Sequence, residues 1–183
     1  MIGYIIAGAV VLLLVVYVIA TYNRLIVLRN RVNDQWSHID IELKRRFDLI
    51  PNLVNTVKGY AKHEEETLEK VIKARNTYLS SGTREQAMEA DSELSSAINK
   101  LFALSESYPD LKANENFLDL QAQLKDTEEK ISFARKFYND TALLLNNKID
   151  MFPSNLIASM FKFNKVEFFK ASEAERENVK VEF

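Results

Sequence analysis

The feature that most constrains this chain is an uninterrupted apolar stretch near its N-terminus. Residues 2–20 carry no charged side chain, and leucine and valine fill the centre at positions 12–16. Nineteen helical residues extend about 28 Å, close to the roughly 30 Å hydrocarbon core of a bilayer. Tyr4 and Tyr17 lie near its two ends, where amphipathic rings prefer the membrane interface. We therefore predict a transmembrane anchor over residues 1–22.

Two other interpretations of this apolar segment stay open. A buried core helix is rarely so long and uninterrupted in a small domain. A cleaved signal peptide would use Val18 and Ala20 as its small-residue cleavage site, but no Lys or Arg precedes the apolar run. The run is also long for such a peptide, so a retained anchor is the interpretation we favour.

The charges that flank the apolar segment predict its orientation. Arg24, Arg29 and Arg31 follow it, whereas no Lys or Arg precedes it. The positive-inside rule then predicts a single-pass protein of the cell membrane, with its N-terminus outside and the remaining domain in the cytoplasm. The three arginines are candidate contacts to anionic headgroups, each contributing on the order of 1 kcal/mol. For Arg29 and Arg31 a solvated helix face is an equally good interpretation.

The rest of the chain has the composition of one ordinary folded domain. The sequence is 47% hydrophobic and 27% charged, with only four Gly and three Pro. This scarcity of helix breakers favours long helices. A net charge of −2 gives no reason to expect nucleic acid as a partner. Because the sequence contains no Cys, disulfides and thiolate metal sites are excluded.

Beyond the anchor, apolar residues recur at steps of three and four, which is the helical period. The series passes Pro51 without losing phase, and the residues before it at 46–50 (RFDLI) are mostly apolar, unlike the Gly, Asn or Asp of a hairpin turn. We therefore predict one long first helix of about 60 residues, kinked near Pro51, with a break into two helices as the alternative. The predicted core positions are Leu25, Leu28, Val32, Trp36, Ile39, Leu43, Phe47, Ile50, Val54, Val57, Ala61, Leu68, Ile72 and Leu79.

Turn signals divide the remaining sequence into two more long helices and a short one. Residues 80–83 (SSGT) are the first clear turn, and Thr83 with Gln86 resembles a capping box. The second helix stops before Pro109, the third begins near Asn114, and a short helix follows residues 152–155 (FPSN). The predicted buried face of the second helix contains Ala87, Ala90, Leu94, Ala97, Leu101 and Leu104, and that of the third contains Phe117, Leu120, Leu124, Ile131, Ala134, Tyr138, Thr141 and Leu145.

These elements predict an all-α protein in which the anchor is followed by an antiparallel up-and-down helical bundle. Its predicted parts are the anchor (1–22), the bundle domain (23–161) and an aromatic C-terminal tail (162–183). The first helix is longer than its partners and would leave an apolar stripe exposed. We therefore expect coiled-coil-like self-association, as a homo-oligomer, through the anchor and first helix.

No motif in the sequence indicates catalysis or cofactor binding. The cluster at 63–66 (HEEE) is not HExxH, because no second His follows at the required step, and we favour a solvated helix face over a metal site. Residues 44–46 (KRR) form a mild basic patch together with Lys58 and Lys62. Acidic residues 64–66 follow at once, so we do not expect a nucleic-acid groove. We therefore expect no catalytic, cofactor-binding or metal-binding residues, no cofactor, and a protein that is not an enzyme.

Several blocks of the sequence match a known family, namely 22–23 (YN), 28–30 (LRN), 36–40 (WSHID), 43–54 (LKRRFDLIPNLV), 57–61 (VKGYA), 63–64 (HE), 106–117 (ESYPDLKANENF), 134–139 (ARKFYN) and 152–155 (FPSN). On these blocks the chain resembles the LemA family of bacterial membrane proteins. The resemblance implies a single N-terminal anchor, a helical-bundle domain and no established enzymatic activity or agreed functional residues. Genes of this family often neighbour those of membrane zinc metallopeptidases, so the resemblance implies such an enzyme as a partner. One relative in the family is linked to shaping magnetosome membranes.

Three functional hypotheses follow from these features. The first is a membrane-tethered scaffold or adaptor whose cytoplasmic bundle mediates protein–protein interaction. The second is a self-assembling protein that organises or remodels the bacterial membrane, with the bilayer and its own copies as partners. The third and weakest is a metal-dependent enzyme or regulator centred on His63 and Glu64.

Overall fold

The computed structural model describes residues 1–61 and 63–169. In these residues the chain is helical and contains no strand, which confirms the all-α prediction. The predicted tail at 162–183 is described only as far as residue 169, and those eight residues are not helical; residues 170–183 lie outside the described part. The helices of the described ranges are α1 (Ile2–Tyr60), α2 (Glu65–Leu79), α3 (Arg84–Ser105), α4 (Pro109–Lys112), α5 (Glu115–Asp150) and α6 (Ser154–Met160).

The first break after the anchor falls at residues 61–64, where the sequence predicted a continuous helix. The prediction that residues 80–83 form the first turn was therefore wrong, and His63 lies in this turn instead of on a helix face. The spacing hid the break, because Ala61 and Leu68 are seven residues apart, about two full helical turns. Ile72 and Leu79 were also wrong as core positions, since both side chains are exposed on α2.

The chain divides into two compact units, and each is described by itself. The first unit contains Met1–His38 and Ala134–Phe168. The second unit contains Ile39–Phe133 and, among the described residues, Phe169. Both α1 and α5 therefore contribute one part to each unit.

The core of the second unit comes from the C-terminal part of α1, from α2 and α3, and from the N-terminal part of α5. α2 and α3 pack against each other. Most predicted core positions of this unit are buried, including Phe47, Leu94, Leu101 and Phe117. The helical period in the sequence therefore identified the packed faces of α1, α3 and α5.

α1 continues through Pro51 because another side chain replaces the missing backbone donor. Proline has no N–H, so the carbonyl of Phe47 loses its usual partner four residues later. The Arg75 Nε of α2 donates to that Phe47 oxygen at 3.1 Å. The helix is therefore unbroken from Ile2 to Tyr60, and the alternative of two helices separated at Pro51 was wrong.

The predicted cap of α3 is present in a shifted form. The Thr83 hydroxyl accepts a hydrogen bond from the Gln86 N–H at 3.2 Å. The Gln86 side chain reaches back to the N–H of Gly82 at 2.9 Å, where a capping box would place it on Thr83. Two backbone donors at the start of the helix are thus satisfied.

The first unit buries side chains of α1, α5 and α6 around Tyr138. The indole of Trp36 meets the Tyr138 ring edge-on, with centroids 5.8 Å apart. α6 ends with Lys162 at a φ of 55°, and the Phe163 N–H bonds the Ala158 carbonyl at 2.9 Å. This is a Schellman motif, and it turns the chain back. The other buried apolar residues of the unit are Leu25, Leu28, Val32, Ala142, Leu145, Ile157 and Ala158.

The segment after α6 is held by the buried Asn146 of α5. Its amide nitrogen donates to the Val166 carbonyl at 2.9 Å, and its oxygen accepts from the Val166 N–H at 3.0 Å. The Tyr138 hydroxyl donates to the Glu167 carbonyl at 3.1 Å. Two side chains of α5 therefore take the place of a neighbouring strand for this extended segment.

The N-terminal part of α1 is long and apolar enough to cross a membrane. None of its best membrane-spanning window is buried against the rest of the protein. Burial begins only at Val18, which is half-buried, and Thr21, which is buried. This exposure counts against the core-helix interpretation of the apolar segment, because a core helix would be covered by the protein.

Candidate functional site

The second unit contains a buried ionic cluster that joins three helices. The guanidinium of Arg46 on α1 lies 3.2 Å from Asp91 Oδ1 on α3 and 2.7 Å from Glu128 Oε2 on α5. The side chains of Arg46 and Asp91 are 3% and 1% exposed, and that of Glu128 is 39% exposed. Such burial of charge is tolerated only when each charged group has close partners.

Ser95 completes this cluster on the side of α3. Arg46 Nη2 donates to Ser95 Oγ at 3.0 Å, and that hydroxyl donates to the Asp91 carbonyl at 3.1 Å. The guanidinium therefore has two carboxylates and a hydroxyl around it, and the three ionised side chains together carry one negative charge. This arrangement fixes α1, α3 and α5 in one register.

A cavity of about 270 Å³ opens beside this cluster, between α3 and α5. Arg46, Ser95 and Glu128 line one end of it, with Phe102 and Leu124 among the apolar lining residues. The cavity holds no nucleophile activated by a base, and its one arginine is already paired. The lining of this cavity is mainly apolar, and Glu128 is its carboxylate within reach of solvent.

The burial of Arg46 corrects the prediction of a basic patch at residues 44–46. Lys44 and Arg45 are exposed as expected, but Arg46 faces the core. The sequence analysis did not identify this cluster. The sequence did indicate that Arg46 is buried, because it lies three residues after Leu43 and four residues before Ile50, on the same helix face as these buried residues.

The cluster at residues 63–66 is split between a turn and the start of α2. His63 is exposed in the turn, and Glu64 accepts a hydrogen bond from the Tyr108 hydroxyl at 2.9 Å. That hydrogen bond raises the pKa of the Tyr108 phenol above its usual value. Glu64 thus ties the α1–α2 turn to the start of α4.

Across residues 1–61 and 63–169, no three ligating side chains of the His, Cys, Asp and Glu types converge as a metal site would require. The expectation that the protein has no metal ligands stays a prediction.

The three arginines predicted to contact headgroups are all exposed on α1. The Arg29 guanidinium lies 5.4 Å from the centroid of the Phe163 ring, within the range of a cation–π contact. Tyr22 packs on Phe161 and Phe163, with centroids 4.7 and 5.9 Å away. Arg24 and Arg31 point away from the buried core, and contact of all three with lipid stays a prediction.

Comparison with known sequences identifies the family of this chain. The LemA family model matches residues 35–183, most of the chain. The chain belongs to the LemA family. The apolar segment and the three arginines precede the matched region, so they are features of this LemA-family chain outside the family model.

The similar proteins carry two kinds of name. Protein LemA of Metamycoplasma hominis is 30% identical over 158 residues, which is 86% of this chain and 72% of that protein. Magnetosome protein MamQ 2 of Paramagnetospirillum magneticum is 22% identical over 84% of this chain and 66% of its own length. Magnetosome protein MamQ of Magnetospirillum gryphiswaldense is 23% identical over 81% of this chain and 64% of its own length. This chain thus spans just under two thirds of the magnetosome proteins.

Proposed function

We propose that this LemA-family chain is a membrane-anchored, non-enzymatic scaffold or adaptor whose cytoplasmic helical part binds other membrane proteins. The observation that carries the proposal is the unbroken α1, in which the uncovered apolar residues 2–20 continue directly into the folded helical units. A helix of this kind ties the position of the folded part to the bilayer surface.

The finer features of the proposal concern topology. The N-terminus lies outside the cell membrane and the helical part inside, because Arg24, Arg29 and Arg31 follow the anchor and no basic residue precedes it. These arginines contact anionic headgroups. An antiparallel up-and-down order of the helices and a kink near Pro51 belong to the same proposal.

The non-enzymatic part of the proposal is supported by how the buried charges are used. Arg46 and Asp91 are paired with each other, and Glu128 closes the cluster. Glu64 and Tyr108 are likewise partners in a structural hydrogen bond. These ionisable groups stabilise helix contacts, which is a different use from the activated groups of catalytic sites.

Proximity labelling in a bacterial host tests the adaptor function. The full chain carries a biotin ligase at its C-terminus, and the matched control carries the same ligase on residues 1–22 alone. We expect a reproducible set of membrane proteins that only the full chain labels, and the family resemblance makes a membrane metallopeptidase one expected member. If the control labels the same membrane proteins to the same extent, the adaptor function is wrong.

Organisation of the membrane by self-assembly is the second candidate function. The observation in its favour is the similarity to proteins named magnetosome proteins, which covers more than 80% of this chain. The small residues Gly3, Ala7 and Gly8 in the apolar segment would allow close helix–helix approach.

Reconstitution of the full chain into liposomes separates this candidate from the adaptor. Self-assembly predicts oligomers in the bilayer and altered vesicle shape at high protein density. A strictly monomeric protein that leaves vesicles unchanged would rule it out and leave the adaptor function untouched.

A further inference from the structure

We propose that α6 and the turn before it form a second membrane contact. In this contact Phe152, Leu156 and Met160 enter the headgroup–acyl boundary of the same bilayer that residues 2–20 cross. The inference rests on the anchoring in the proposed function and adds a surface that anchoring alone does not require.

The first observation is the two-sided character of α6. Ser154, Ile157 and Ala158 are buried in the first unit. On the opposite side of α6, Leu156 and Met160 lie four residues apart and are both 62% exposed, and Phe152 in the turn before the helix is 80% exposed. Steps of four align side chains along one helix face. Large apolar side chains grouped in this way are typical of segments that lie in a membrane interface.

The second observation fixes where α6 lies along α1. The Tyr22 ring packs on Phe161, immediately after α6, with centroids 4.7 Å apart. Tyr22 is two residues beyond Ala20, or about 3 Å along the helix axis. The polar layer of a bilayer is roughly 5 to 8 Å thick on each side. The C-terminal end of α6 therefore lies at headgroup depth when residues 2–20 span the hydrocarbon core.

The third observation is the level at which the protein begins to cover α1. Side chains before Val18 are exposed, Val18 is half-buried and Thr21 is buried. A bilayer that ends near Ala20 consequently meets the folded part of the first unit at this level. The apolar face of α6 belongs to that part of the unit.

The charges around this end agree with a lipid surface as the occupant. Arg24 on α1 and Lys162, two residues beyond α6, are both exposed. Cations at the edge of an apolar face attract anionic headgroups while the apolar side chains enter the boundary region. The occupant is therefore a bilayer that contains anionic lipid.

Site-directed spin labelling of the full chain tests the contact directly. Because the sequence contains no Cys, each variant carries one label. Leu156→Cys and Met160→Cys report on α6, and Ser37→Cys is the matched control, exposed on α1 roughly 26 Å along the helix from Ala20. The protein is reconstituted in phosphatidylcholine vesicles that contain phosphatidylglycerol. We expect labels at 156 and 160 to collide more with oxygen than with a water-soluble nickel chelate, and the label at 37 to do the reverse.

A label at Leu12→Cys, in the middle of the anchor, separates failure of the contact from failure of the anchoring. If position 12 is in lipid while positions 156 and 160 are as accessible to nickel as position 37, the contact is wrong and the anchoring stands. If position 12 is also accessible to nickel, both proposals are wrong. Protection from both colliders with spin–spin broadening at 156 would mean that a second copy covers α6, which also overturns the lipid contact.

Discussion

At the scale of single residues, the stability of the second unit depends most on Arg46. Its positive charge is buried beside Asp91, and each of the two side chains would be left with an uncompensated buried charge if the other were removed. Arg46 also fixes the positions of three helices along one another, because from α1 it contacts Asp91 on α3 and Glu128 on α5. The cluster is therefore where a single substitution is most damaging.

Replacement of Arg46 by Met should lower the free energy of unfolding by about 3–5 kcal/mol, because Asp91 is left buried without its partner. The matched control is Arg45→Met at the exposed neighbouring position, with an expected change within about 0.5 kcal/mol. Adding Asp91→Leu to Arg46→Met should recover part of the loss. Urea unfolding in detergent, followed by helical circular dichroism, measures all four chains. Equal midpoints for the Arg46 and Arg45 variants would contradict the structural role of the cluster.

Tyr78 makes stability depend on alkaline pH. Burial raises the pKa of the Tyr78 phenol, and so does the hydrogen bond that it donates to Asp40 at 3.0 Å. A folded-state pKa above the unfolded value of about 10 means that the native state holds this proton more tightly. Its contribution to stability is complete below that pH and is lost as pH rises above it.

We expect the free energy of unfolding to fall above a pH of about 10, and Tyr78→Phe to make that fall less steep. A spectrophotometric titration of the native protein should also lose one high-pH phenolate component in this variant. In guanidinium chloride the two chains should titrate alike apart from one tyrosine. An unchanged alkaline branch in Tyr78→Phe would contradict this assignment.

At the scale of elements, the helical period identified packed faces better than it identified helix ends. Leu43, Phe47, Ile50 and Val54 are buried as predicted, because a face that packs must repeat every three to four residues. The turn at 61–64 was missed because no Gly or Pro within it marks the break.

The ionic cluster was missed for a related reason. Arg46, Asp91 and Glu128 each occupy a position on an apolar face, but residues so far apart in sequence are joined only by the tertiary fold. The step of four from Ala87 to Asp91 and from Leu124 to Glu128 was visible in the sequence, whereas the pairing across helices was not. A charged residue at the helical spacing of an apolar face can thus be predicted to be buried, but the spacing does not identify the residue with which it pairs.

Pro51 and Arg75 should be energetically coupled. Arg75→Met leaves the Phe47 carbonyl without its donor and should cost about 1–3 kcal/mol. In a Pro51→Ala background the backbone N–H at position 51 can bond that carbonyl, so Arg75→Met should cost clearly less there. A double-mutant cycle from urea unfolding measures the coupling. Purely additive effects would mean that Arg75 acts through some other contact.

At the scale of the whole molecule, membership of the LemA family and the uncovered apolar part of α1 both agree with membrane association. Membrane association could be predicted from the sequence, because the length of an apolar segment and the residues of a family block are both read along the chain without knowledge of tertiary contacts. Under the proposed topology, the orientation of the chain in the membrane depends on the charges that flank the anchor. These positions can be substituted without changing the folded core, because Gly3, Tyr4 and the three arginines are all exposed.

Exchanging those charges should invert the protein. A chain with Gly3→Arg and Tyr4→Arg, and with glutamine in place of Arg24, Arg29 and Arg31, should place its C-terminal side outside. In Ser37→Cys versions, a membrane-impermeant maleimide added to whole cells should label only the inverted chain. The control replaces the same three arginines by lysine and should stay unlabelled. Labelling of the parent chain from outside would contradict the proposed orientation.

The continuity of α1 has a mechanical consequence. Within the first unit, α1 has no break between the apolar segment and the packed residues that end at His38, so these two parts of the helix tilt together. Transmembrane helices answer a thinner bilayer by leaning further from the membrane normal. Under the proposed topology, a local change in bilayer thickness would therefore tilt the packed part of α1 in the first unit and reorient the surfaces of that unit, without any ligand.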